Sequence, residues 1–464
     1  MMKRNDTRWR GRRLLLALAA PILALGLAGC DLDDLLDVDD PEVASPGSVR
    51  TPTALPVVLA GVVRDFTFAY SGTGAIGGGG DDDSQIMLSG LLTDELIHTG
   101  TFPTRRLIDR RAILTNAEND ASDNGTIADA YHNLHRARRA AETADQLYLD
   151  ADEPDDAGRA LASGFAGFSY VLFGELYCEG VPYSSIALDG TISYGPPSTR
   201  QETFDTAIVR FENAMDVAEA ADDEEALNMA RVGLARALLN QGDYDGAAAV
   251  AADVPNDFEY LVEHSANSEA ENNGVFIYSN NAGRYGVMDD EGGNGLDWVS
   301  SDDPRTPVIF NPRDAFDTNL EEFVAQNKYP TRESPVVLAS GKEARLIEAE
   351  AALQNGDIPG MLANLNAARA QDGVDALTLL DIPADFDSQV DLLFRERGFS
   401  LWLTAHRLGD LRRMIRQYGR DSEDVFPSGN YFRAGAEYGT DVNFPIYVDE
   451  NNNPEFTGCL NRDA

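Results

Sequence analysis

Two short stretches of this chain share a pattern that leaves few folds open. LLNQGDYDGAAAV (238–250) and ALQNGDIPGMLAN (352–364) align through Leu239/Leu353, Gly242/Gly356, Asp243/Asp357 and Gly246/Gly360. On both sides of each Gly-Asp, apolar residues return every three or four positions, the period of a helix that buries one face. Around the second turn Ile347, Ala351 and Leu353 come before, and Met361, Leu362, Leu365 and Ala368 after. Gly356 can take the left-handed conformation that ends the first arm.

An arm, a Gly-Asp turn and a second arm make one tetratricopeptide-type unit. The two turn glycines lie 114 residues apart, which is not a whole number of repeats of about 34 residues. An irregular segment is therefore inserted between the two units, and a structureless insertion of that length in a compact protein is usually functional. The fold class expected is mainly all-α: tetratricopeptide-like helical hairpins with an irregular, loop-rich, ligand-facing subdomain. With 464 residues, 43% of them hydrophobic, the chain can bury a large core.

Other helices follow from the same periodicity. Residues 127–149 carry a stripe of Ile127, Tyr131, Leu134, Ala141, Ala144 and Tyr148. Residues 156–178 are heavily apolar and aromatic, with Leu161, Phe165, Phe168, Leu172, Phe173 and Leu176. Residues 199–220 follow, with Thr199 and Glu202 spaced for a capping box. Near the C-terminus, Arg395, Glu396, Arg397, Arg407, Asp410, Arg412 and Arg413 sit among apolar anchors. Charges interleaved in this way are expected to lock the last helices to the repeats through charge-assisted bonds.

The first 29 residues read as an export segment. Lys3, Arg4, Arg8, Arg10, Arg12 and Arg13 precede an apolar run over 14–27 that is short for a membrane span. Leu27-Ala28-Gly29-Cys30 then fits a bacterial lipoprotein signal with Cys30 lipidated. The expected divisions are a signal at 1–29, an acidic tether at 30–53 and a helical N-terminal part at 54–254. The irregular insertion at 255–340, repeat helices at 341–420 and an irregular tail at 421–464 complete them.

The chain carries 37 Lys and Arg against 78 Asp and Glu, a net charge of −41. Without residues 1–29 the imbalance deepens. Such a surface repels nucleic acid and anionic lipid, so neither is an expected partner. Besides Cys30 only Cys178 and Cys459 occur. In an oxidising compartment a disulfide between them would pin the C-terminal tail to a helix end.

Several chemical motifs have plainer readings. Gly72-Thr73-Gly74-Ala75-Ile76-Gly77 spells GxGxxG, but Asp81, Asp82 and Asp83 follow it and would repel a pyrophosphate. His132 and His135 lack an evident third metal ligand. Asp289, Asp290, Glu291, Asn294 and Asp297 do not have the spacing of an EF-hand loop. Asp94-Glu95 has no second carboxylate singled out by context, as a glycosidase pair would require. No catalytic residue, metal site or cofactor is assigned.

On these residues the chain resembles the SusD/RagB family of outer-membrane nutrient-binding lipoproteins, the partners of TonB-dependent channels. The similar stretches are Leu35-Leu36-Asp37 through Pro41, Phe173-Gly174-Glu175-Leu176-Tyr177 with Gly180-Val181-Pro182, and Arg200 with Glu202. Others are Glu350-Ala351 with Leu365-Asn366 and Arg369, and Arg395-Glu396-Arg397-Gly398-Phe399 with His406-Arg407 and Asp410-Leu411-Arg412-Arg413. Phe444-Pro445-Ile446 and Asn453-Pro454 close the set. Ser400 departs from the acidic residue usual after that Phe, Thr404-Ala405 replaces a common Glu-Gly, and the tail ends differently after Cys459. These are scaffold motifs, so they carry fold further than substrate.

The resemblance implies a lipid-anchored protein at the outer-membrane surface that binds a nutrient, an oligosaccharide or a peptide, and works with a TonB-dependent channel. It places aromatic platforms in the insertion, where Trp298 and Tyr285 stand beside Arg284, Asn294 and Asp297. Phe102 and Arg105 are further candidates. An aromatic face can stack on the apolar face of a sugar while Asn, Asp and Arg bind its hydroxyls. The alternatives are a glycoside hydrolase and an assembly-scaffold lipoprotein without a small ligand.

Overall fold

The computed structural model describes residues 48–74, 83–113, 124–187, 190–433 and 435–463. Cys30, the export segment, most of the tether and the second half of the GxGxxG stretch lie outside them. From Val49 onward the chain forms one unit.

The two shared turns close their hairpins by one mechanism. Helix α7 (Glu224–Gln241) ends at Gly242 and α10 (Gly341–Gln354) runs up to Gly356. Both glycines have positive φ, +81° and +71°, where a side chain would be strained. The aspartate that follows then caps the next helix. Asp243 accepts from the Gly246 N–H at the start of α8 (Tyr244–Ala251), and Asp357 from the Gly360 N–H in α11 (Ile358–Gln371), each at 3.0 Å. A Cβ at Gly246 or Gly360 would fall 2.4 or 2.2 Å from that carboxylate. The four aligned positions are thus a stop, a cap, its clearance and a buried leucine. The two units are neighbours in space, with α10 packed on α8. Arg345 donates to the Ala251 carbonyl at 2.6 Å, and Asn355 to Asp245 at 2.9 Å. The chain between them is looped out from adjacent repeats.

The remaining helices extend this stack. They are α1 (Leu55–Ser71), α2 (Gln85–Leu92), α3 (Pro103–Asp109), α4 (Gly125–Asp150), α5 (Ala157–Leu176) and α6 (Arg200–Ala221), then α12 (Phe386–Ser400) and α13 (Arg407–Tyr418). Short turns α9 (Gly274–Phe276) and α14 (Ser422–Val425) complete the set. The Thr199–Glu202 capping box at the start of α6 is present. Helix α5 is central. Its Gly167 and the Gly233 of α7 leave room for the Phe211 ring of α6, which a Cβ at either position would meet within 2.7 Å. Among the described residues every sheet has two strands, and all are antiparallel. No helix among them is long and apolar enough to cross a membrane.

The C-terminal charges behave as their placement predicts. Arg397 clasps Asp410 with two bonds of 2.9 Å, and Arg413 reaches both Asp410 and Glu350. Arg305 and Arg369 each reach Glu396 at 2.6 Å, and Ser400 accepts a further bond from Arg305. Arg236 of α7 holds Glu175 of α5. The guanidiniums around Asp410 hold its carboxyl far below the usual range although it is buried. Cys178 and Cys459 are joined, with their Cα atoms 6.1 Å apart. Backbone bonds from Cys178 to Phe444 and from Leu460 to Glu179 continue the attachment of the tail to the end of α5.

Candidate ligand-binding site

The structure divides the seven candidate ligand residues into two groups. Trp298, Asn294 and Asp297 lie against α12 and α13. The Trp298 ring is 1% exposed, with Phe399 at 5.3 Å, Trp402 at 6.1 Å and the Arg407 guanidinium at 5.7 Å. A ring enclosed in this way offers a sugar no stacking surface, so the expectation that Trp298 is a platform is corrected: it is core. Asn294 donates to the Glu423 and Phe426 carbonyls at 3.0 and 2.7 Å, and Asp297 pairs with Arg395. These bonds tie the insertion to the helices. A cleft of about 410 Å³ beside them is lined by Asn294, Leu296, Arg395, Arg407 and Arg420, among others.

Asp94 and Glu95 belong to the same packed region. Arg407 grips Asp94 at 2.7 and 2.8 Å, and the Leu296 N–H donates to it. Glu95 accepts from the Leu403 N–H, and burial pushes its carboxyl up to about 8. Neither side chain reaches solvent. His132 and His135 lie near Asp449 and Glu450 of the tail. Among the described residues no three metal-ligating side chains converge.

Phe102, Arg105, Arg284 and Tyr285 form the second group. Tyr285 is fully buried, and its hydroxyl bonds Asp83. It too is a supporting residue rather than an exposed platform. Asp83 grips Arg105 through bonds of 2.9 and 2.7 Å, and the Arg105 guanidinium lies 4.7 Å from the Phe102 ring. Phe102 stands just before α3 and is 42% exposed. Its neighbour across the surface is Phe316, also 42% exposed, which sequence reasoning did not single out. The Arg284 guanidinium sits between them, 5.0 Å from the Phe102 ring centroid and 4.5 Å from that of Phe316.

Three loops are knitted together to hold this arrangement. Strand Ile97–His98 pairs with Tyr285–Gly286. The Thr99 N–H donates to the Arg284 carbonyl, the Phe316 N–H to that of Gly283, and the Asp317 N–H to that of Thr99, at 2.8–2.9 Å. Gly283 has φ +65°, and a Cβ there would stand 2.9 Å from the Asp314 carbonyl. Arg433 adds bonds to the Gly100 carbonyl and to Asp317. His98, buried beneath, is pushed down to about 3 by burial and then by Arg433, Arg105 and Arg106. Burial is the main cause, and it keeps the ring neutral at pH 7.

Two half-exposed rings flanking a guanidinium can cover the apolar face of a flat solute and donate hydrogen bonds to its polar edge. The helical frame that carries this loop face has counterparts in known structures. A SusD superfamily protein of Bacteroides thetaiotaomicron matches 89% of this chain and 100% of its own length, at 17% identity and a TM-score of 0.65. The chain has the SusD-like fold. A SusD-like carbohydrate-binding protein of Bacteroides fragilis matches at 14% identity and a TM-score of 0.64, covering 88% of this chain and 99% of its own. A laminarin-binding SusD-like protein matches at 13% identity and a TM-score of 0.59, with the same coverage. No family profile matches the sequence, and no curated protein matches it.

Proposed function

We propose that this SusD-like chain is a lipoprotein, anchored through Cys30 at the outer-membrane surface, that captures an oligosaccharide and passes it to a TonB-dependent channel. The observation that carries the binding step is the Phe102–Arg284–Phe316 arrangement. It provides solvent-facing rings on a loop face fixed by backbone bonds, in a fold whose relatives of known structure include carbohydrate binders. The anchor and the channel rest on the sequence resemblance. Asp94 and Glu95, the carboxylates singled out for the hydrolase alternative, are engaged in structural bonds, which supports binding over turnover.

A glycan array followed by calorimetric titration of the hits tests this. Replacing both rings (Phe102→Ala with Phe316→Ala) should weaken binding at least about tenfold, as loss of central aromatic contacts does. Trp298→Ala should lower stability instead, and leave the affinity of the folded fraction unchanged. Binding that survives the double replacement would place the sugar elsewhere.

A further inference from the structure

The Arg284 guanidinium differs from most others in this chain. Arg105, Arg236, Arg305, Arg397, Arg407 and Arg413 each meet a carboxylate. With about two acidic residues for every basic one, a carboxylate partner is easy to find. Arg284 nevertheless has no hydrogen bond and no ion pair from its side chain among the described residues, and its Nε has no acceptor. Among the described residues, its ring neighbours are the two exposed phenylalanines. Arg313 lies in the adjoining loop and donates to the Asn281 and Asp314 carbonyls, not to a carboxylate.

A guanidinium held between two rings is well prepared for one kind of partner. Stacking limits its rotation, and it is weakly hydrated, so little is lost when it binds. Its fork of N–H donors matches an oxyanion and forms stronger bonds with it than with a neutral hydroxyl. The net charge of −41 opposes an anionic ligand at long range. That repulsion is screened beyond about 8 Å at physiological ionic strength, so direct contact with the Arg284 guanidinium governs recognition at close range. We infer that Arg284, cradled by Phe102 and Phe316, binds an oxyanion carried by the sugar, so that the ligand is an acidic oligosaccharide bearing uronate carboxylates or sulfate esters. This inference rests on the proposed sugar-binding role and names the ligand class of that site.

The test is calorimetric titration of the purified protein with oligogalacturonate, a sulfated glucan and neutral laminarin oligosaccharides of similar length. At least one acidic sugar should bind about tenfold or more tightly than laminarin, and which one distinguishes carboxylate from sulfate. Arg284→Gln should abolish the preference, and Arg284→Lys should retain part of it. Circular dichroism and melting of each variant verify folding. Equal binding of acidic and neutral sugars, lost when both rings are removed, would overturn the acidic specificity and leave the sugar-binding role standing. An acidic preference unchanged in Arg284→Gln would overturn the assignment to Arg284. Binding of no sugar of either class would overturn both.

Discussion

The C-terminal helices and the loop face around Phe102 use the same two residue types, arginine and aromatic, to opposite ends. In α12 and α13 most of the arginines are buried and the central ones have counter-charges, as Arg397 and Arg413 have in Asp410 and Glu350, while Arg412 is held by the Gly174, Glu175 and Tyr177 carbonyls. The rings there, Trp298, Phe399 and Trp402, face one another. At the loop face the rings are half exposed, and Arg284 is left without a carboxylate partner among the described residues. Satisfied groups make a rigid frame, whereas unsatisfied ones held by that frame are available to a ligand. The second region depends on the first, because Tyr285, Asp83 and Arg105 are the buried, fully engaged underside of the exposed pair.

The sharpest way to separate the regions is to remove a counter-charge from the frame. Asp410→Ala leaves Arg397 and Arg413 buried with only Glu350 to share, at 3.9 Å in the case of Arg397. Breaking a buried pair from one side costs about 3–5 kcal/mol. The residual attraction of Glu350 sets the expectation near the lower end, about 3 kcal/mol. Denaturant unfolding measures it. A loss below about 1 kcal/mol would mean that the network is not what ties the last helices to the repeats.

How much of this could be seen in the sequence follows from the same contrast. The hairpins were legible because their signals are local: a glycine stop, an aspartate cap three residues before a glycine, and a leucine on the buried face. The charge-rich C-terminal stretch was legible because charges interleaved with apolar anchors have no other stable arrangement. The site was only half legible. Phe102, Arg105 and Arg284 are brought together, but they are 182 residues apart between first and last, and only tertiary pairing unites them. Trp298 and Phe316 stand in similar surroundings, beside Asp297 and Ser300 in one case, Asp314 and Asp317 in the other. One is sealed and the other exposed because Phe399 of α12 and Trp402 in the turn after it cover the first. The one sign favouring Phe316 is the absence of a large apolar residue within three positions on either side.

A titration within the frame sharpens the comparison at intermediate size. Glu95 is an acid kept neutral, with its pKa raised to about 8, first by burial, against the opposing bond from Leu403. A carboxyl raised in the folded state favours folding fully below its unfolded value near 4.5, and that contribution is lost as pH rises through about 8. The wild type should therefore lose stability relative to Glu95→Gln across that window, by about 2 kcal/mol between pH 5 and 7. Glutamine preserves an oxygen for the Leu403 N–H, so the difference isolates the proton. A stability difference independent of pH would place Glu95 in contact with water.

The smallest effect on stability is the one that most directly opposes the two regions. Phe316→Ala removes an exposed ring and one face of the cradle around Arg284. The lost cation–π contact at a solvent-facing position is worth about 0.5–1 kcal/mol. The Phe316 N–H bond to Gly283, being backbone, survives the change. Melting should therefore shift little, while sugar affinity falls by a larger factor than stability does. A frame residue behaves the other way round, because its contacts are made whether or not a ligand is present. If Phe316→Ala destabilised the protein as much as Asp410→Ala, the loop face would be part of the frame after all. The distinction between held and holding residues would then fail where it matters most.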